Sequence, residues 1–451
     1  MGNASVNRAA CPESFSDRFS DLHSPLNRHQ AMVEANRCLF CHDAPCMTAC
    51  PTSIDVPLFI RQIMTENTEG SAKTILDSNI MGGMCARVCP TETLCEEACV
   101  RNTAEDKPVE IGLLQRYAVD YLMDVIEQGS RNQPFTRAVS TGKKIAVVGG
   151  GPAGLSCAHR LATYGHDITV FEAKPKLGGL NEYGIAAYKA THNIAQREVD
   201  FILSIGGIDT KCNTALGKDV LLAELRKEYD AVFLGLGMNA VNHLSLGEDG
   251  LLGVLDAVDF IARLRQAKTE ADVPMGRRVV VIGGGMTAVD AAIQSKKLGA
   301  EDVTIVYRRG AESMNASVYE QEMAQINGVK IKHWAMPIGF TEADGKVTGV
   351  KFEYTSADAE GKLQGTGEYF ALEADMVFAA IGQKLDAELL VLGAEVVALE
   401  KGRFKVDAER RTSLNGVWAG GDCISEGEDL TVVSVEDGKL AAESIHKALM
   451  G

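Results

Sequence analysis

Long hydrophobic runs are missing from this 451-residue sequence: nowhere do 18 apolar residues follow one another, so a membrane-spanning helix is not expected. Residues 1–19 hold no apolar core of the kind a secretory leader needs, and Val6 stands where a myristoylation signal after Gly2 wants Ser or Thr. Basic residues are outnumbered, 45 against 61 acidic ones, and they form no stripe. A nucleic-acid partner is therefore not expected. Low-complexity tracts and short repeats are also lacking. These absences point to a cytoplasmic protein, and 46% hydrophobic residues give it ample core for several domains.

Cysteine is the exception to this spareness. Eight cysteines fall between positions 38 and 99, as Cys38-x2-Cys41-x4-Cys46-x3-Cys50-Pro51 and Cys85-x3-Cys89-x5-Cys95-x3-Cys99. A disulfide framework suits small secreted domains, which this chain does not resemble. Structural zinc expects paired C-x2-C knuckles, and only Cys38 and Cys41 form one. The spacing, with Pro51 and Pro90 each following a cysteine, reads as thiolate ligation of two iron–sulfur clusters, so the chain should handle single electrons. Cys157, Cys212 and Cys423 have no C-x-x-C or C-x4-C partner and are expected to be buried small hydrophobes, not a redox disulfide.

Residues 1–128 are predicted helical and irregular, with apolar residues at helical spacing over Asp55–Asn67 and Ile111–Glu127. The polar stretch Gly129–Gly142 suits a linker. From Lys143 onward short apolar runs alternate with helical segments, the pattern of doubly wound α/β domains. The first unit reads as strand Lys143–Val148, turn Gly149-Gly150-Gly151-Pro152-Ala153-Gly154, helix to Tyr164 and strand Asp167–Phe171 ending at Glu172. That is G-x-G-x-x-G between strand and helix, with an acid 23 residues past the first glycine. The glycines let a pyrophosphate approach, the helix N-terminus offers N–H donors, and Glu172 can accept from ribose hydroxyls.

A second unit repeats this grammar: strand Arg278–Ile282, turn Gly283-Gly284-Gly285-Met286-Thr287-Ala288, helix to Leu298, strand Asp302–Tyr307. Arg308 and Arg309 then stand where an NAD-selective site carries a carboxylate. Guanidinium groups there can pair with a ribose 2′-phosphate, stack on adenine or simply cap the strand, which leaves NADH and NADPH both open. Near the C-terminus, the run Gly416–Asp422 puts glycines and Asp422 at a strand end, which suits the ribityl and pyrophosphate region of FAD. Gly179, Leu180 and Thr431 are further expected contacts of that cofactor.

The cysteine pattern, Val147–Gly154, Val281–Asp290 and Ala419–Asp422 together resemble one flavoprotein group over essentially the whole chain. It comprises the glutamate synthase small subunit and the electron-input half of dihydropyrimidine dehydrogenase. The resemblance implies a helical domain with two [4Fe–4S] clusters over residues 1–140, an FAD domain in two parts, 141–240 and 383–451, and an inserted NAD(P) domain over 241–382. Cys38–Cys46 and Val109–Gln115 look most like dihydropyrimidine dehydrogenase, which in bacteria can be split into two polypeptides. This chain is similar to the NAD(P)H-oxidising one. The implied partner is a second subunit carrying FMN and the site that reduces uracil or thymine.

Two-cluster ferredoxin logic, in which the last cysteine of a run serves the other cluster, as Cys50 before Pro51 would, then assigns Cys38, Cys41, Cys46 and Cys99 to one centre and Cys50, Cys89 and Cys95 to the second. Cys85 is the obvious fourth ligand of the second centre by softness, whereas the resemblance implies Gln115. The rival readings are a glutamate synthase small subunit and a non-catalytic electron-transfer adaptor.

Overall fold

The computed structural model describes residues 17–269, 272–386 and 396–451. The chain forms two units. One contains residues 23–185, 192–244 and 381–451; the other contains the described residues up to Leu22, with 186–191 and 245–380.

In the first unit, the cysteines hang on a small set of packed helices. The helix Val56–Met64 starts where the Asp55 carboxylate accepts the Leu58 N–H, carries Pro57 in its first turn, and buries Val56, Phe59, Ile60 and Ile63 along one face. Asn67 caps Thr68–Ser78 in the same way. The 17-residue helix Ile111–Glu127 buries Leu114, Ala118, Val119 and Leu122, again at helical spacing. The helices pack on one another, and the cysteines lie mainly in the loops and short turns between them. Phe40, Ala44 and Ser53 hold φ of 52°, 28° and 52°. Residues with a Cβ seldom adopt such values, so these loops are tightly wound rather than extended.

Beside the helices lies a parallel sheet of five strands in the order Val417–Ala419, Ala231–Leu234, Lys144–Val148, Asp167–Phe171, Ile208–Lys211. The two central strands are almost wholly buried apolar runs, as a sheet covered on both faces requires. Val417–Ala419 comes from the far end of the chain, so this unit is discontinuous in sequence. The two chain crossings meet as a short antiparallel pair, Ala240–Val241 with Gln383–Lys384.

Glu198, on the helix Ile194–Leu203, joins helices to sheet. Its Oε1 accepts the N–H groups of Gly83 and Met84 at 2.8 and 3.0 Å and so caps the cysteine-bearing helix Gly82–Val88, whose own N-cap residue, Met81, supplies no acceptor. Arg197 next to it pairs with Asp124 and Glu127 at 2.6 and 2.5 Å. Burial pushes the Glu198 carboxyl up to about 7, and its Oε2 has no partner.

An acid with a raised folded pKa favours the folded state when protonated, so its contribution falls as pH rises from the unfolded value towards about 7. Glu198→Gln should abolish this part of the pH dependence and match or exceed wild-type stability at alkaline pH. Glu198→Ala strands two buried donors and should cost roughly 2–4 kcal/mol. Urea unfolding on both sides of neutrality checks both, and an alanine variant as stable as wild type would refute the cap.

The second unit holds another five-stranded parallel sheet, in the order Val254–Asp256, Met376–Ala379, Arg278–Ile282, Asp302–Val306, Lys330–Lys332. An antiparallel sheet of Ala335–Ala343, Lys346–Ala357 and Leu363–Glu373 is added to it, which the sequence reading did not anticipate. Register shifts at Pro337/Gly339 and Glu353/Thr355 break the period-two pattern that would have announced it.

The strap Ala186–Thr191 also packs in this unit. Tyr188 donates to Asp290 at 2.7 Å, and Lys189 pairs with Asp290 and Glu320 at 2.9 and 3.0 Å. Phe19 is buried here, and the Leu22 N–H donates to the Tyr188 carbonyl. Residues 17–22 thus belong by their packing to this unit.

Candidate cofactor sites

The cysteines gather in two groups that cross between the runs. Cys38, Cys41, Cys46 and Cys99 line one cavity with Val56, Ile60 and Val109. Burial pushes the Cys46 thiol up to about 12, with Cys38 and Cys99 close enough to add to the shift. In the other group a hydrogen bond with Cys85 raises Cys89, burial adds to it, and Cys95 and Cys50 stand nearby. Cys99 therefore joins the first run and Cys50 the second. Gln115, 7% exposed, donates its amide N–H to the Gly82 carbonyl at 2.7 Å, at the start of the helix that carries Cys85.

Burial raises the thiols of Cys38, Cys46 and Cys95, so a positive metal core is what would hold these as thiolates. Among the described residues, no three Cys, His, Asp or Glu side chains lie close enough to grip a single metal ion.

At the first glycine turn three backbone segments come into near contact. A Cβ on Gly154 would lie 1.9 Å from the Gly149 carbonyl oxygen, one on Gly179 would lie 2.6 Å from the Gly151 Cα, and one on Gly438 would lie 2.1 Å from the Ala153 carbonyl oxygen. Gly151 and Pro152 start the helix Pro152–Thr163, with Ala153 buried in its first turn. Glu172 sits under the turn: Oε2 accepts the Gly150 N–H and Oε1 the Lys174 N–H, both at 2.8 Å. Its expected role at a ribose is thus joined by a structural one.

Asp422 accepts from the Ser434 hydroxyl at 3.0 Å, and burial pushes its carboxyl up to about 6. Leu180 opens a short helix, and the next residue, Asn181, accepts from the Thr431 hydroxyl at 3.1 Å. The Asn181 amide in turn donates to the Met81 sulfur at 3.5 Å. The short helix after the glycine turn, the C-terminal helix Thr431–Met450 and the cysteine helix Gly82–Val88 are thereby linked through the side chains of Asn181, Thr431 and Met81.

Sequence reading missed Asn181, Asp437, which accepts the Gly421 N–H at 2.8 Å, and Gly438. Only Gly438 carried a signal, since glycine inside a 20-residue helix is unfavourable unless something packs against it. The expectation for the remaining cysteines holds for Cys157 and Cys423, which are buried, and fails for Cys212, which lies partly exposed just past the edge strand Ile208–Lys211.

In the other unit, a Cβ on Gly283 would meet the Ala380 carbonyl oxygen at 2.2 Å and one on Gly284 the Tyr307 ring at 2.4 Å. Gly285 is the N-cap of the helix Met286–Lys297, Thr287 lies in its first turn, and Ala288 is buried. Arg308 and Arg309 follow the strand Asp302–Val306. Their carbonyls are held by Thr355 and Trp334, while both side chains are exposed and unpaired among the described residues. If they grip a 2′-phosphate, NADPH should have the higher kcat/KM, and Arg308→Ala should remove roughly 1.5–3 kcal/mol of that preference. Equal use of NADH, unmoved by the substitution, would make the pair a surface feature.

Residues 143–438 match the family model described as pyridine nucleotide-disulphide oxidoreductase. The chain belongs to that family. Residues 15–126 match a second family model, dihydropyrimidine dehydrogenase domain II, 4Fe-4S cluster. The NAD-dependent dihydropyrimidine dehydrogenase subunit PreT of Salmonella typhimurium is 35% identical over 97% of this chain and 98% of its own. The glutamate synthase [NADPH] small chain of Escherichia coli is 34% identical over 95% and 93%. Thioredoxin reductase of T. acidophilum shares the fold, with a TM-score of 0.55 at 21% identity, covering 68% of this chain and all of that one. No helix among the described residues is long and apolar enough to cross a membrane.

Proposed function

We propose that this chain is the NADH-oxidising half of a two-subunit dihydropyrimidine dehydrogenase. The observation that carries the reading is the link Thr431–Asn181–Met81, which runs from the glycine-turn cradle to the helix bearing Cys85. FAD, when bound, takes a hydride from a nicotinamide and gives electrons out singly. The backbone N–H groups at Gly151–Gly154 would hold its pyrophosphate, and Asp422 and Glu172 would take its hydroxyls. In the other unit, Gly283–Ala288 would hold the nicotinamide nucleotide. Cys89, of the group Cys50, Cys89 and Cys95, caps the far end of the helix whose N-cap Met81 meets Asn181, so that group would be the first to receive electrons, and the group of Cys38, Cys41, Cys46 and Cys99 would pass them on.

We assign the fourth ligand of the inner group to Gln115. Its amide nitrogen is tied to the Gly82 carbonyl, which leaves the amide oxygen for iron. The acceptor would be a second subunit with FMN and the pyrimidine site. A cytoplasmic location fits, since the described cysteines are all free.

The isolated chain should reduce artificial dyes with NADH and leave uracil untouched until that subunit is added. Uracil reduction by the chain alone, or turnover of the assembled pair on glutamine and 2-oxoglutarate, would overturn the assignment.

A further inference from the structure

A cavity of about 270 Å³ opens in the first unit, lined by none of the residues of the glycine turn or the cysteine groups. Its walls come from the helix Thr68–Ser78, the connection around Phe135, the helix Pro152–Thr163 and the C-terminal helix. Three cations line it, Lys73, Arg160 and Lys439, against one carboxylate, Asp77. Lys439 is already paired with Glu436 at 2.5 Å. Arg160 donates to the Asp77 carbonyl at 2.8 Å, and neither it nor the exposed Lys73 has an ion pair among the described residues.

The back wall is His159, which is 5% exposed. Its Nε2 is buried without a hydrogen-bond partner, and its ring stands edge-on to Phe135 at 5.2 Å. A buried polar group left unsatisfied costs about 1–3 kcal/mol, and native proteins keep few of them without a use. Burial lowers the imidazole to about 3, so it is neutral at physiological pH and can give or take one hydrogen bond. Two unpaired cations at the mouth, an aromatic wall and an orphan imidazole behind are the ingredients of a small-molecule site, and no step of the proposed electron path uses them.

We propose that this cavity binds a small organic anion, its charged head between Lys73 and Arg160 and a flat apolar body against Phe135 and His159. Such a ligand would bridge the helix Thr68–Ser78, on the cysteine side, to the helix Pro152–Thr163, which begins at the glycine turn.

The test is calorimetric titration of the FAD-loaded protein, saturated with NAD⁺ to fill the nucleotide site, with phenyl phosphate, benzoate and inorganic phosphate. Saturable one-to-one binding of phenyl phosphate or benzoate is expected, with inorganic phosphate about tenfold weaker for want of a ring. Lys73→Ala and Arg160→Gln should each weaken binding about tenfold. His159→Leu should weaken it as well while leaving Tm without ligand unchanged or raised, because an apolar side chain replaces an orphan polar one. No saturable heat at millimolar phenyl phosphate and benzoate would overturn the proposal. So would an affinity that is unchanged in the double variant of Lys73 and Arg160.

Discussion

Cys89→Ser should abolish partner-dependent uracil reduction while NADH-driven dye reduction by the same preparation continues at near wild-type rate. Cys89 lies among Cys50, Cys85 and Cys95, the group proposed above to receive electrons first. Groups one step removed from a metal are typically worth 10–100-fold in affinity, and a ligand itself should exceed that, so a fall of at least about a hundredfold is expected. Cys85→Ser gives the internal contrast. If Gln115 is the fourth ligand, the serine variant keeps both activities and Gln115→Ala loses the second; the reverse pattern would hand the site to Cys85.

Point substitution is a cleaner test than deleting residues 1–140, the cut suggested by sequence alone. Residues 17–22 pack with the nucleotide unit through Phe19 and Leu22. Loss of Gly83 and Met84 would also leave the Glu198 carboxylate without the donors it caps. A deletion would therefore damage both units for reasons unrelated to electron flow. Cys89→Ser with full uracil turnover would remove the inner cysteine group from the route.

The contrast between the two glycine turns and the cysteine groups explains what could be read from sequence. Lys144–Val148, Asp167–Phe171 and Arg278–Ile282 form where expected, because a buried parallel strand is a short apolar run and the following turn needs glycine for steric reasons. The crossing of Cys50 and Cys99 was legible only through the ferredoxin rule that the last cysteine of a run serves the other cluster; spacing alone would have kept each run intact.

The strap Ala186–Thr191 was not legible. Tyr188 and Lys189 bind Asp290, about a hundred residues away, and nothing local in Ala-Ala-Tyr-Lys-Ala-Thr signals a buried ion pair. The antiparallel sheet was hidden for the opposite reason: glycines, a proline and bulges interrupt strands whose exposed faces tolerate them. The cavity at His159 depends on helices from three separate stretches of chain, and no window of sequence contains it.

Gly154→Ala should yield a protein that cannot retain FAD, whereas Ala288→Gly, at the matching position of the second turn, should remain active with NADH. A methyl group on Gly154 would fall 1.9 Å from the Gly149 carbonyl oxygen. That oxygen cannot retreat: the Gly149 N–H is held by the Phe171 carbonyl at 2.8 Å, and Gly149 itself abuts the Gly235 carbonyl, where a Cβ would lie 2.1 Å away. Two backbones and a hydrogen bond therefore resist the extra carbon, so relief must come from shifting the helix Pro152–Thr163, whose first N–H groups define the pyrophosphate site.

The second turn already accommodates a methyl at Ala288, fully buried, with its N–H donating to the Gly285 carbonyl at 2.9 Å. Removing that methyl should cost about 1 kcal/mol of helix propensity and leave the turn's shape intact. Flavin absorbance per chain and thermal melting of the two variants separate the cases. A Gly154→Ala protein purified with full flavin and wild-type Tm would mean that the turn yields where its contacts say it cannot, and the assignment of FAD to this unit would lose its steric support.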